Sequence, residues 1–352
     1  MSASVKQLRA VVAVPLEEQL CQLIEEIEPR LEVVRDHELT RPARGPGDWS
    51  GDPGHVRSSR EQSAFDAMVD SADALFGIPD VEPRALARTA RANDRLKWVM
   101  TTAAGGGSQV KEAGLSTVEL ERIVFTTSAG AHGAPLAEFA LMGILAGVRN
   151  LPKLMADKAH RRWGDRERAR QIDELTVLVV RLGGIGAECA RQLSLHGARV
   201  WGINRSGRPV PHLDRQLPES ELGWALSQVD AVVCTLPGTA RTHHLIDAAS
   251  LARAKEGLIV VNVGRGTVID ETALLEALDA SRVGFAALDV FEVEPLPVSS
   301  PLWEHPSVLI SPHTAALNGR EAERIARQFA DNATRLIDGR PLRAVVDTVE
   351  YY

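Results

Sequence analysis

Apolar residues along this chain fall in short runs separated by amphipathic stretches, and the alternation comes in two series. In the first, RAVVAV (9–14) and LEVVR (31–35) flank LEEQLCQLIEEI (16–27), and ADALFGI (72–78) and LKWVMTT (96–102) follow. Short, nearly continuous apolar runs suit strands buried on both faces, and helical stretches between them suit crossover connections. The first series therefore predicts a parallel sheet. The second series starts at LTVLVV (175–180) and continues through ARVWGIN (198–204), AVVCTL (231–236), LIVVNV (258–263), FAALDV (285–290) and VLISP (308–312). Six strand candidates spaced by helical or loop stretches predict a doubly wound sheet. The fold class expected is α/β, with two parallel-sheet domains.

Three other segments complete the plan. Residues 41–60 (RPARGPGDWSGDPGHVRSSR) shift to Pro, Gly, Asp and Arg, which predicts a long loop of the kind that is often functional or mobile. A helical pattern spans 133–163 and breaks near Pro152. From Gly319 the chain reads as a helix, then as an extended tail that returns to the first domain.

Composition narrows the function. A chain of 352 residues exceeds one ordinary domain, and 44% hydrophobic content can fill two cores. The net charge of −7 and the lack of a dense basic tract exclude nucleic acid and anionic membrane surfaces as expected partners. That leaves a small molecule. No apolar run reaches bilayer length and MSASVKQLRAVVAV does not read as a secretory signal, so a cytoplasmic location and no membrane are expected. Cys21, Cys189 and Cys234 are scattered and odd in number, which suits reduced thiols acting as core fillers. No HExxH or CxxC occurs, and His243 with His244 lacks a third ligand, so no metal is expected.

The chemistry starts at RLGGIGAECARQL (181–193), directly after LTVLVV. Gly183 and Gly186 stand at the second and third positions of a GxGxxG turn, where the backbone can approach a pyrophosphate and helix can pack on strand. Phosphate would rest on the N-terminus of a helix opening at Ile185, lined by Leu182, Gly183, Gly184, Ile185 and Gly186. The first glycine position holds Arg181, a side chain in a turn that normally has none. At the end of the next strand, where an acid would hold a ribose diol, the chain has Asn204, Arg205, Ser206, Gly207 and Arg208. Two guanidinium groups and no carboxylate favour a 2′-phosphate, hence NADP over NAD, although a solvated turn would read the same way at Arg208. Further on, VNVGRG (261–266), DVFEVEPLP (289–297) and ISPHTAA (310–316) each follow a strand candidate and carry Arg265, Glu294 and His313. A rigid cationic fork, a carboxylate and an imidazole meeting at strand ends are what reduction of a 2-keto acid needs. Taken singly, they could equally be an ion-pair arginine, a surface acid and a satisfied loop histidine.

In that order, LGGIG, TLPGTARTHHLID, VNVGRGTVID, ALDVFEVEPLP and SPHTAA resemble the D-isomer-specific 2-hydroxyacid dehydrogenase family, over nearly the whole chain. The resemblance implies a Rossmann cofactor domain (127–318) inserted into a flavodoxin-like substrate domain (1–126 and 319–352). It also implies a homodimer built on the stretch around 135–163. Arg265 would grip the substrate carboxylate and keto oxygen, His313 would exchange the proton, and Glu294 would orient the imidazole. LKWVMTTAAGGG resembles the family's substrate loop, which assigns Ala104, Gly105 and Gly106 to the substrate. Thr235, Leu236, Pro237 and Val263 would line the cofactor's path, with Asp289 anchoring the backbone near its ring and Asp270 capping a helix. Arg181 and the long 41–60 loop, which could cover the site or contribute Trp49 to it, depart from the family pattern. The activity implied is NADPH-dependent reduction of a keto acid such as glyoxylate or hydroxypyruvate. Formate or phosphite oxidation is disfavoured by Glu294, where formate dehydrogenases of this fold carry glutamine. A corepressor-like nucleotide sensor would bind cofactor without turnover.

Overall fold

The computed structural model describes residues 7–45, 47–166, 168–205, 207–349 and 351. They form two compact units, one running to His132 and resuming at Leu317, the other Gly133–Ala316.

The first unit holds β1 (Leu8–Val12), β2 (Leu31–Val34), β3 (Ala74–Phe76), β4 (Trp98–Met100) and β5 (Val124–Thr126). All pair in parallel, in the order β2-β1-β3-β4-β5, the flavodoxin-like arrangement. Side chains alternate across the sheet: Leu8, Ala10 and Val12 enter one core, Val11 and Ala13 the other. The Glu321–Ile337 helix covers the first face, stacking Phe329 on Trp98 with ring centroids 4.5 Å apart. The tail then adds a single antiparallel bridge, Val345 to Thr126. β5 was not among the expected strands, because three residues directly after the Thr117–Arg122 helix are too few to show a period.

Among the described residues of 41–57 there is no helix or strand. The loop is nevertheless tied down. Arg57 grips Asp80 through two 2.8 Å hydrogen bonds, Trp49 packs 5.9 Å from Phe76, and Ser58 caps the Ser59–Asp70 helix.

The second unit holds β6 (Thr176–Val180), β7 (Arg199–Ile203), β8 (Arg215–Leu217), β9 (Ala231–Cys234), β10 (Leu258–Asn262), β11 (Val283–Leu288) and β12 (Val308–Ile310). Their parallel order is β12-β11-β10-β9-β6-β7-β8, so the chain leaves β6 in one direction and returns on its other side at β9. Ligands of such sheets sit beyond the strands' carboxyl ends, beside that reversal. The expected six strands are joined by a seventh, β8, a three-residue polar edge strand with no apolar run to announce it. Two apolar clusters fill the space between sheet and helices on either face. The Gly133–Val148 helix lies close against β10 and β11, since a Cβ on Gly143 would come within 2.6 Å of the Ala287 Cβ.

The long helical pattern divides slightly earlier than Pro152. Asn150 adopts φ 49° and its side chain accepts the Lys153 N–H, starting the Leu151–Ala159 helix after a 65° bend. Pro152 then falls in a first turn, where its missing N–H does no harm. Among the described residues, no single helix is long and apolar enough to cross a membrane. The three cysteines are buried and free, and burial pushes the thiols of Cys21, Cys189 and Cys234 up to about 12.

Candidate active site

Arg265, Glu294 and His313 follow β10, β11 and β12, three neighbouring strands of one sheet. Each has its own local brace. At the end of β10, buried Asn262 accepts the Gly264 N–H at 3.1 Å and donates to the Arg265 carbonyl at 3.0 Å. That clamp turns the chain and leaves the Arg265 side chain exposed, with Nη1 on the Gly264 carbonyl at 2.8 Å. Gly266 lets this turn press on the next one, because a Cβ there would overlap the Phe291 carbonyl carbon at 1.8 Å.

After β11, Glu294 folds back so that Oε1 accepts the Phe291 N–H at 2.9 Å, and Oε2 meets His313 Nδ1 at 2.7 Å. Burial pushes the Glu294 carboxyl up. The hydrogen bonds from His313 and Phe291, with the charges of His313 and Arg265, outweigh it and hold the group below the ordinary carboxylate range. An ionised carboxylate only accepts, so Nδ1 of His313 carries the proton in this contact. Nε2 is left to exchange a proton with whatever lies beyond, and the imidazole is 47% exposed. Glu292 and Glu271 reinforce the same loop by exchanging backbone and side chain: Glu292 N–H to Glu271 Oε1 at 2.7 Å, Glu271 N–H to Glu292 Oε1 at 3.0 Å. His244 closes on Glu292 Oε1 at 3.1 Å, and Asp270 caps the Glu271–Asp279 helix through the Ala273 N–H.

After β12, His313 sits at φ 57°, a left-handed conformation that costs any residue but glycine. Asp289, 1% exposed, holds it there. Its Oδ1 accepts the Ser311 hydroxyl at 2.6 Å and the N–H groups of Thr314 and Ala315 at 2.9 Å each. Asp289 was expected to anchor backbone near the cofactor ring, and the backbone it holds is that of the histidine loop; the Asn262 clamp and the Glu271–Glu292 exchange were not foreseen from sequence. The only hint was polar residues set between apolar runs at strand ends.

The glycine-rich turn lies at the end of β6. Gly183 is the N-cap of the Gly184–Leu195 helix, which opens one residue earlier than the expected Ile185. Gly183 and Gly184 are exposed, Ile185 is half-buried and Leu182 and Gly186 are buried. A Cβ on Gly186 would lie 1.9 Å from the Arg181 carbonyl oxygen, so helix and strand meet there with no room for a side chain. Thr235 at the end of β9 donates to that same oxygen at 2.7 Å. Leu236 and Val263 are buried and Pro237 half-buried; Gly264 backs onto Leu236, its hypothetical Cβ 2.5 Å from the Leu236 carbonyl oxygen. Beyond β7, Asn204 Nδ2 and Gln216 Nε2 both donate to the Arg208 carbonyl, at 3.3 and 3.0 Å, leaving Arg205 and Arg208 exposed. Ser206 lies outside the described residues. A glycine cradle at a helix N-terminus, with two guanidinium groups at the next strand end, fits a dinucleotide carrying an extra phosphate.

Ala104, Gly105 and Gly106 belong to the other unit, in the turn after β4. Gly105 is exposed and Ala104 half-buried, while Gly106 is buried under Thr101, whose Oγ1 would lie 1.9 Å from a Cβ. The Gly106 N–H closes this turn on the Ala103 carbonyl at 3.2 Å.

Residues 141–315 match a family model described as D-isomer specific 2-hydroxyacid dehydrogenase, NAD binding domain. Glyoxylate/hydroxypyruvate reductase A of Salmonella dublin is 32% identical over 263 residues, 74% of this chain and 83% of that protein. The reductase of the same name from Klebsiella pneumoniae strain 342 is 35% identical over 222 residues, 62% of this chain and 70% of that one. Among solved structures, a D-isomer specific 2-hydroxyacid dehydrogenase from Xanthobacter autotrophicus Py2, in complex with NADPH and MES, superposes with a TM-score of 0.75. It is 29% identical and covers 98% of this chain and 99% of its own. Two parallel-sheet units, a glycine turn after β6, an arginine, a glutamate and a histidine beyond adjacent strand ends and these relatives agree: the chain belongs to the D-isomer specific 2-hydroxyacid dehydrogenase family.

Proposed function

We propose that this protein reduces a small 2-keto acid of the glyoxylate and hydroxypyruvate class to the D-2-hydroxy acid, with NADPH preferred and NADH possible. The observation that carries the reading is the 2.7 Å contact between His313 Nδ1 and Glu294 Oε2, with the Arg265 charge acting on that carboxylate. When bound, the nicotinamide supplies the hydride. The chain's part is positioning and proton transfer. Arg265 presents a fork that can hold the substrate carboxylate and keto oxygen. His313 delivers the proton from Nε2 as negative charge grows on that oxygen, and Glu294 keeps the ring oriented and balances its charge. Ala104, Gly105 and Gly106, in the turn after β4, would contribute to substrate binding.

Leu182, Gly183, Gly184, Ile185 and Gly186 would cradle the pyrophosphate, and Asn204, Arg205, Ser206 and Arg208 the 2′-phosphate end. Thr235, Leu236, Pro237, Val263 and Asp289 would border the rest of the cofactor. In this reading 127–318 is the cofactor domain and 1–126 with 319–352 the substrate domain. A homodimer is proposed from the apolar row Met142, Leu145, Leu151, Leu154 and Met155, exposed along consecutive helices. Three buried thiols suit the reducing cytoplasm. The test is NADPH absorbance with glyoxylate and with hydroxypyruvate, repeated with NADH, plus chiral analysis of the product. Cofactor binding without turnover of any keto acid would sink the enzymatic reading in favour of a sensor.

A further inference from the structure

Arg181 stands where a glycine-rich turn ordinarily has its first glycine, and its backbone shows the cost. Its φ is 74°, in the region where a Cβ is disfavoured. The surrounding main chain fixes that conformation. Arg181 N–H donates to the Ile203 carbonyl at 2.9 Å, and its own carbonyl accepts the Thr235 hydroxyl at 2.7 Å while Gly186 packs against it. Glycine could make all three contacts without strain. A strained non-glycine residue at such a point calls for a reason in its side chain.

The side chain turns back over the turn. Apart from chain neighbours, the only described atom within 4 Å of a Cβ placed on Gly183 is Arg181 Nε, at 3.7 Å. The missing Cβ of Gly183 is what opens room for a pyrophosphate, so the guanidinium borders that same room. It also sits beside the N-terminus of the twelve-residue Gly184–Leu195 helix, whose dipole presents positive charge. An anion lying in that space would be held by both.

We infer that Arg181 is a ligand of the cofactor's pyrophosphate, adding a charged fork to the backbone donors of the turn. The inference rests on the cofactor reading above. Because the pyrophosphate is common to both dinucleotides, the contribution is the same for NADPH and NADH, unlike that of the guanidinium groups beyond β7.

The test compares the natural chain with Arg181→Gly and Arg181→Lys, without substrate, by calorimetric titration of NADPH and NADH and by thermal unfolding of the cofactor-free proteins. Arg181→Gly relieves the backbone, so its unfolding midpoint should be no lower than that of the natural chain. Both dinucleotides should nevertheless bind about tenfold or more weakly, as expected for losing a hydrogen bond between charged groups. Arg181→Lys should keep part of the affinity, and raising salt should narrow the gap. Unchanged or tighter binding by Arg181→Gly would overturn the inference, making the arginine a bystander or an obstruction. A loss confined to NADPH would overturn it in favour of the 2′-phosphate. If the natural chain binds neither dinucleotide, the cofactor reading itself falls, and Arg181 with it.

Discussion

Replacing Asp289 by Asn tests whether the histidine loop is held by one buried carboxylate oxygen. The substitution keeps shape and volume and removes the charge. Three donors converge on Oδ1, at 2.6, 2.9 and 2.9 Å. A hydrogen bond to a charged acceptor contributes about 1.5–3 kcal/mol and one to a neutral acceptor about 0.5–1.5 kcal/mol, so each contact weakens by roughly 1 kcal/mol. The sum, about 3 kcal/mol, should lower the unfolding midpoint of a domain this size by roughly 6–12 °C. The loop also carries His313 at its left-handed φ, so relaxation moves the imidazole away from Glu294. A displacement near 1 Å can cost about a hundredfold in rate. Thermal unfolding followed by intrinsic fluorescence, with kcat for glyoxylate measured well below the midpoint, reads both effects. A variant that melts within a degree or two of the natural protein and retains full kcat would refute the argument, because Asp289 Oδ1 is the acceptor in all three bonds.

Three further expectations concern other parts of the molecule. His313→Asn should lower kcat by about 10²–10⁴-fold while NADPH affinity in a direct titration stays within a factor of about two, and a variant of near-normal rate would remove His313 as the proton donor. Burial, together with the charges of Glu292 and Glu294, raises the Glu271 carboxyl above its ordinary range despite the Glu292 N–H. Its ionisation therefore costs the folded state nothing below the ordinary carboxylate pKa, and the cost is fully developed above the raised value. Glu271→Gln should then stabilise the protein at neutral pH, with the gain fading as pH falls through the acid range; a gain that grows toward low pH would contradict that sign. Leu154→Glu and Met155→Glu together place charges on residues 55% and 54% exposed, and should halve the mass seen by light scattering. An unchanged mass would discard this face as the dimer contact.

The strands were legible wherever both faces are buried. β6, β9 and β10 are buried at every position, and such runs announce themselves without any periodicity. β5 and β8 were invisible for opposite reasons. β5 has two buried residues but no length, and β8 is a polar edge whose place is decided by its neighbour β7. Arg265, Glu294 and His313 were readable as chemistry because each stands directly after an apolar run. Of their braces only Asp289 was read as a backbone anchor, and not as one for the histidine loop, since Asn262, Asp289 and Glu271 act through backbone groups that carry no residue identity. The break at Asn150 shows the same limit. Pro152 signalled that a helix ends, but the residue that turned was the one able to take a left-handed conformation and cap the next helix.

Placing the three side chains just beyond consecutive strands of a single parallel sheet has a further consequence. Adjacent strands are kept about 4.8 Å apart by their hydrogen-bond ladders, so the points where the three loops leave the sheet are spaced by its lattice, and the local braces settle only the last few residues. Insertions, deletions or drift in the connecting helices leave that spacing untouched. Apart from the bracing residues Glu271, Asp289 and Glu292, the stretches between Arg265, Glu294 and His313 are therefore free to be rewritten for new substrates or partners while the three side chains stay in register.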